Sequence, residues 1–141
     1  MIANITDQLR RDEDEKLSVY RDSLGYWTLG VGRLVDARKG GGITRAESAY
    51  LLANDVGTKS AALDERLPWW RTLSDARQGV LLNMAFQLGI DGLLAFTTTL
   101  GLVHTGQFGL AADAMLQSRW AQQTPERAKR LAEQMRSDQW Q

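Results

Sequence analysis

Strand-like alternation in this chain is confined to one short stretch, and that restriction decides which folds are open to it. Leu17 to Arg21 alternates as a half-buried strand, Asp22-Ser23-Leu24-Gly25 reads as its turn, and Tyr26 to Val31 returns as a second strand. Beyond it the pattern is helical almost throughout. Arg38-Lys39-Gly40-Gly41-Gly42 is a flexible connector, and Thr44-Arg45-Ala46-Glu47 has the form of a capping box, opening a helix that continues toward Leu63. Pro68 interrupts the pattern before Trp69-Trp70. Ser74 then caps a long helix with Val80, Leu81, Met84, Ala85 and Leu88 inward and Gly89 as its stop. Shorter helices are expected at about 98–103 and 108–116, and Thr124-Pro125 supplies an N-cap and a first-position proline for a last helix reaching Arg136. The expected fold class is α+β, a single domain over residues 1–141. A small N-terminal β-hairpin lobe, about 14–43, packs on a larger helical lobe made of 1–13 and 66–141, with about 44–65 as the connecting helix and a cleft between the lobes.

The hairpin is flanked by groups that can do chemistry. Asn4 can cap a first helix, Ile5 and Leu9 give it an i, i+4 apolar stripe, and the polar run Arg10 to Lys16 ends it. Glu13 therefore falls at a helix C-terminus, where the negative end of the macrodipole and partial burial disfavour its anion and suit it to the role of proton donor. Asp22, at a solvated turn, suits the complementary role of base, and Thr28 adds a hydroxyl on the next strand. One acid to protonate a leaving oxygen and one carboxylate to act on the opposite face of a sugar are what glycosidic hydrolysis needs. A glutamate at a helix end and an aspartate in a turn are also ordinary surface residues, so spacing alone leaves both readings open.

Composition narrows the field. There is no cysteine, so neither disulfides nor thiolate metal sites contribute, and nothing implies a cofactor or a metal. Seventeen Lys and Arg balance seventeen Asp and Glu. That balance argues against nucleic acid as a partner, since its recognition needs a concentrated basic surface; the cluster Arg127, Lys129, Arg130 reads instead as a solvated helix face. No run approaches the roughly 18 apolar residues of a membrane span, and Met1-Ile2-Ala3-Asn4 leads straight into a polar helix, so neither an integral membrane segment nor a signal peptide is expected.

The run LRRDEDEKLSVYRDSLGYWTLGVGRL, followed in order by GGITRAESAYLLANDV, LNMAFQLG, AFTTTL and SRWAQQTPERAKR, resembles the T-even phage lysozyme family over nearly the whole chain. The resemblance implies a lysozyme-like fold and a monomeric glycosidase whose substrate is peptidoglycan, cleaved at the β-1,4 bond between N-acetylmuramic acid and N-acetylglucosamine with inversion. By it, Glu13 matches the general acid, Asp22 the carboxylate that activates water, and Thr28 the hydroxyl that helps hold that water. Leu34, Phe86, Gln87 and Thr99 fall at substrate-binding positions, although Phe86 sits in a helical stripe that equally fits a core. Trp120 matches a buried position, His104 reads as an exposed helix cap, and Tyr20, Tyr26 and Trp27 could stack on sugar rings. Arg127 matches an arginine that reaches the catalytic acid. The sequence departs from the family at three places: Arg33 stands where a histidine is usual, the loop from Val35 to Gly42 is short, and Ala114 replaces a sugar-contacting asparagine. Arg33 is expected to pair with Asp55, as the family histidine pairs with an aspartate. The implied setting is bacterial lysis by a phage: synthesis in the host cytoplasm, release by a holin-type partner or delivery in a virion or tail, and action on the wall in the periplasm. A non-catalytic peptidoglycan-binding or tail-structural module and a lytic transglycosylase are the rival classes. Retention of Asp22 and Thr28 favours hydrolysis over both.

Overall fold

The computed structural model describes residues 7–11, 15–31, 33–35 and 39–141. Residues 7–11 are helical. The expected cap at Asn4 lies outside the described residues, as do Glu13 and part of the loop from Val35 to Gly42. Three antiparallel strands follow in the order β1 (Lys16–Arg21), β2 (Trp27–Gly30) and β3 (Arg33–Leu34). The hairpin forms as its turn chemistry predicts, and the third, two-residue strand is too short to leave a period in the sequence. Helix α1 (Arg45–Arg66) comes next, then a 3-10 turn (Trp70–Thr72) and helices α2 (Asp75–Leu94), α3 (Thr97–His104), α4 (Phe108–Leu116), α5 (Arg119–Gln123) and α6 (Pro125–Ser137). The chain forms two compact units, Met1–Leu52 and Ala53–Gln141, with the point of division inside α1.

In the first unit the central strand carries the sheet. Thr28 of β2 stands opposite Tyr20 of β1 and Leu34 of β3, so the three side chains share one face. Thr28 is only 3% exposed. The expectation of a half-buried first strand is not met: Leu17 is 91% exposed, Val19 is exposed, and only Tyr20 is partly covered. Alternation states that a strand has two faces, not which face finds a neighbour, and β1 is an edge strand paired on one side.

The second unit holds the core. Trp70, Leu63, Val80, Leu81, Met84, Leu93, Met115 and Met135 are sealed from solvent. Helix α6 reaches this core through Ala128, Leu131, Ala132 and Met135, the i, i+3, i+4, i+7 spacing of a single apolar stripe. Ser74 caps α2 as expected, its Oγ accepting from the Arg77 amide at 3.4 Å. At the other end of the chain Arg77 closes α6. Its Nε donates to the Met135 carbonyl (2.9 Å), Nη2 to the Arg136 carbonyl (3.3 Å), and Nη1 lies 3.5 Å from Asp138 Oδ2, while the guanidinium sits 3.7 Å from the Phe108 ring centroid. Ser74 Oγ also donates to Asp138, whose backbone is left-handed (φ 62°). Thr124 does not cap α6 with its side chain; its hydroxyl donates backward to the Trp120 carbonyl at 3.1 Å, and Pro125 needs no N-terminal partner because it has no amide hydrogen.

Gly89 interrupts α2 rather than merely following it. Its φ of 76° and ψ of 164° lie in a region that only glycine enters without strain, and the helix resumes beyond it. A Cβ at this position would meet nothing within 4 Å, so the obstacle is conformational and not steric. Gly89→Ala is therefore expected to cost about 1–3 kcal/mol, read as a lower denaturation midpoint with an unchanged denaturant slope. A cost below about 0.5 kcal/mol, the scale of a neutral surface change, would mean that the kink relaxes freely.

Candidate active site

Asp22 and Thr28 are both held by the backbone of one residue. The Asp22 carboxylate accepts through Oδ1 from the amides of Leu24 (2.9 Å) and Tyr26 (2.8 Å), closing the turn at the end of β1. The carbonyl of Tyr26 accepts from the Asp22 amide at 2.8 Å and from the Thr28 hydroxyl at 3.1 Å. Asp22 is half-buried rather than solvated. The consequence for bonding capacity is specific. Asp22 keeps Oδ2 as an acceptor, and Thr28, having spent its single hydrogen on Tyr26, has only lone pairs left to offer. Two acceptors fixed to one backbone unit can take the two hydrogens of one water.

The neighbouring aromatics are already engaged. The Arg21 guanidinium lies 4.8 Å from the Trp27 ring centroid, and Lys39 Nζ 5.7 Å from that of Tyr26. Leu34, at the end of β3, is exposed on the Thr28 face.

Arg33, expected to pair with Asp55, has a partner within its own unit. Its guanidinium bonds the Glu47 carboxylate. Glu47 is already fixed when Arg33 meets it. The capping box forms in both directions: the Glu47 amide donates to Thr44 Oγ1 (3.1 Å) and the Thr44 amide to Glu47 Oε2 (3.0 Å). The Thr44 amide, ahead of the Arg33 guanidinium, holds the Glu47 carboxyl below the usual carboxylate range. A lowered folded pKa contributes stability above the unfolded value that is lost as pH falls through the folded one. Glu47→Gln should thus be less stable than the parent at neutral pH, with the gap closing under acid and persisting under alkali because arginine keeps its proton. Urea denaturation across pH checks this; a gap that does not narrow as the solution is acidified would locate the effect elsewhere.

In the second unit, the motif Asn83 to Gly89 lies on α2. Phe86 is 42% exposed, which removes it from the core and leaves its ring free for contact. Gln87 is half-buried, and its Oε1 accepts from the indole Nε1 of Trp120 at 2.9 Å. Trp120 is itself 4% exposed and packed edge-on to Phe96. With its oxygen committed, Gln87 presents its amide nitrogen as a two-hydrogen donor. Thr99 is buried on α3 and lines an open pocket that Trp120 and Ala114 also face. Trp120→Phe removes the indole donor while keeping an aromatic ring. We expect a rise in KM for glycan of up to about tenfold with little change in kcat, the worth of one hydrogen bond of about 0.5–1.5 kcal/mol. An unchanged KM in steady-state hydrolysis of soluble glycan would leave Gln87 without a role in binding.

Arg127 of α6 is fixed by Asn83: Nε (2.9 Å) and Nη2 (2.6 Å) both donate to Oδ1, and Nη2 also reaches the Asn83 carbonyl at 3.3 Å. Its expected partner Glu13 lies outside the described residues. Asn83 and Trp120 were not singled out by sequence as anchors. The signal for Asn83 was present, since it sits four residues before Gln87 and so on the same helix face; the Trp120 bond spans 33 residues and leaves no local trace. Among the described residues no group of three or more His, Cys, Asp or Glu could hold a metal ion, and no single helix is long and apolar enough to cross a membrane.

Comparison with known proteins adds the last observation. The phage lysozyme family profile matches residues 10–137. The chain is similar to "Probable T4-type lysozyme 1" of Dictyostelium discoideum, at 32% identity over 93% of this chain and 92% of that protein. It is similar to "Endolysin" of Salmonella phage P22, at 31% identity over 81% of this chain and 80% of that protein. It is also similar to part of "Pre-baseplate central spike protein Gp5" of Enterobacteria phage T4, at 31% identity over 91% of this chain but 27% of that protein.

Proposed function

This chain belongs to the phage lysozyme family, and from that premise we propose that it is a peptidoglycan hydrolase cleaving the β-1,4 bond from N-acetylmuramic acid to N-acetylglucosamine. Glu13 protonates the departing glycosidic oxygen. Asp22 takes a proton from the attacking water, and Thr28 orients that water by accepting its other hydrogen. Attack from the face opposite the leaving group inverts the anomeric carbon. The observation that carries this reading is the shared anchoring of Asp22 and Thr28 on the backbone of Tyr26. A fixed pair of acceptors is what a positioned water requires, and a pure binding module would have no use for it. Phe86, Gln87, Thr99 and Leu34 contact the glycan, and Arg127, set by Asn83, moderates the charge at Glu13.

The protein works as a monomer on the bacterial wall, made in the host cytoplasm and released by a holin-type partner. Similarity to the endolysin of Salmonella phage P22 along four-fifths of that protein supports this reading. Mass analysis of muropeptides released from purified sacculi tests the reading. Reducing-end muramic acid is expected; an anhydromuramic end would make the enzyme a lytic transglycosylase, and no release would make it a binding module.

A further inference from the structure

Tyr26 holds both acceptors of the proposed water site and spends its main chain in doing so. Its amide donates to Asp22 Oδ1 at 2.8 Å, and its carbonyl accepts from the Asp22 amide (2.8 Å) and the Thr28 hydroxyl (3.1 Å). One amide hydrogen and two carbonyl lone pairs are all that a backbone residue has to offer, so the pair that Tyr26 carries uses up its bonding capacity. The residue also stands just ahead of β2, outside the strand. What fixes it in place must therefore act on its side chain or on the residues to either side.

Residues 39–41 reach all three positions. The Lys39 ammonium lies 5.7 Å from the Tyr26 ring centroid, within the range of a cation–π contact. Its stem passes Gly25, where Cδ would stand 4.0 Å from an added Cβ. Gly41 closes on the other neighbour: a Cβ on it would fall 2.2 Å from Trp27 Cδ1, and its φ of 74° is one that glycine adopts freely. All of these residues belong to the first unit. Among the described residues Lys39 makes no ion pair or hydrogen bond through its side chain, so the Tyr26 ring is what engages its charge.

We propose that Lys39 is a positioning residue of the hydrolytic reaction: its cation holds the Tyr26 ring, and through Tyr26 it keeps Asp22 and Thr28 aimed at one water. This rests on the hydrolase reading and deepens it. In this role Lys39 touches neither the glycan nor the water. Its loss lowers the fraction of molecules with both acceptors in place, and with that fraction kcat, while KM stays where it is.

The test compares Lys39→Met, which keeps the stem and removes the cation, with Lys39→Arg, which keeps a cation able to stack. In hydrolysis of soluble glycan, Lys39→Met should lower kcat about two- to fivefold at the parent KM, the scale of one exposed cation–π contact. Lys39→Arg should restore kcat. In hydrogen exchange followed by NMR, the Leu24 and Tyr26 amides, both bonded to Asp22 Oδ1, should exchange faster in Lys39→Met by the same factor and at the parent rate in Lys39→Arg. Tyr26→Leu leaves these backbone bonds possible and removes the ring, so in that background Lys39→Met should change nothing further. Parent-like kcat and exchange in Lys39→Met, a loss confined to KM, or an effect of full size in the Tyr26→Leu background would each overturn the proposal. Exchange is read without hydrolysis, and failure of the hydrolase reading would appear separately, as no muropeptide release by the parent.

Discussion

Asp22→Asn is expected to leave a folded protein whose release of muropeptides falls by about 10² to 10⁴, the usual contribution of a positioned general base. The asparagine oxygen can still accept from the Leu24 and Tyr26 amides, so the turn that ends β1 survives. What disappears is the second oxygen as a proton acceptor, replaced by an amide that donates. Asp22→Ala makes the contrast. It removes the base and the turn bonds together and should cost an additional 0.5–1.5 kcal/mol or so per bond in stability. Glu13→Gln should match Asp22→Asn in loss of rate, because an amide cannot protonate a leaving oxygen, with stability unchanged or slightly raised. Rates on purified sacculi alongside thermal melts separate these effects. Parent-like turnover by either isosteric variant would remove that carboxylate from the mechanism.

The largest effect on stability is expected within the second unit, at Arg77. Its side chain is 15% exposed and satisfies two carbonyls at the end of α6 while covering the Phe108 ring. Arg77→Met preserves most of the aliphatic volume and removes every polar contact. The stranded carbonyls cost about 1–3 kcal/mol, and loss of the desolvated cation–π contact adds about 1–2 kcal/mol. A total of roughly 3 kcal/mol should appear as a shifted midpoint in guanidinium denaturation. A loss under about 1 kcal/mol would show that water replaces the guanidinium at the helix end, as it does at exposed termini.

What the sequence revealed and what it concealed divide by range. Ser74 and the Thr44–Glu47 box act within a few residues, so their signals are local and each is realised; Gly89, expected as the stop, kinks the helix instead. The turn that carries Asp22 was likewise readable, because it is four residues long. Partner choice is different. Charge spacing does not single out Glu47 as a partner of Arg33; the capping box fixes that carboxylate in advance. Nor can periodicity separate a core phenylalanine from an exposed one, since Phe86 falls in the same stripe as buried neighbours and the outcome depends on what packs opposite. The two-residue strand β3 and the five-residue helix α5 were missed because neither is long enough to repeat its own period.

The distribution of indoles gives the protein an internal optical division. Of five tryptophans, only Trp27 precedes Ala53; the other four belong to the second unit. Trp27 is also distinctive in its surroundings, lying beneath Arg21 and against Gly41, whose missing side chain makes room for its ring. Biosynthetic incorporation of 5-fluorotryptophan would thus label both units without changing a residue, yielding one fluorine resonance for the first unit and four for the second. Opening of either unit by itself would be visible as movement of its own signals while the others hold still.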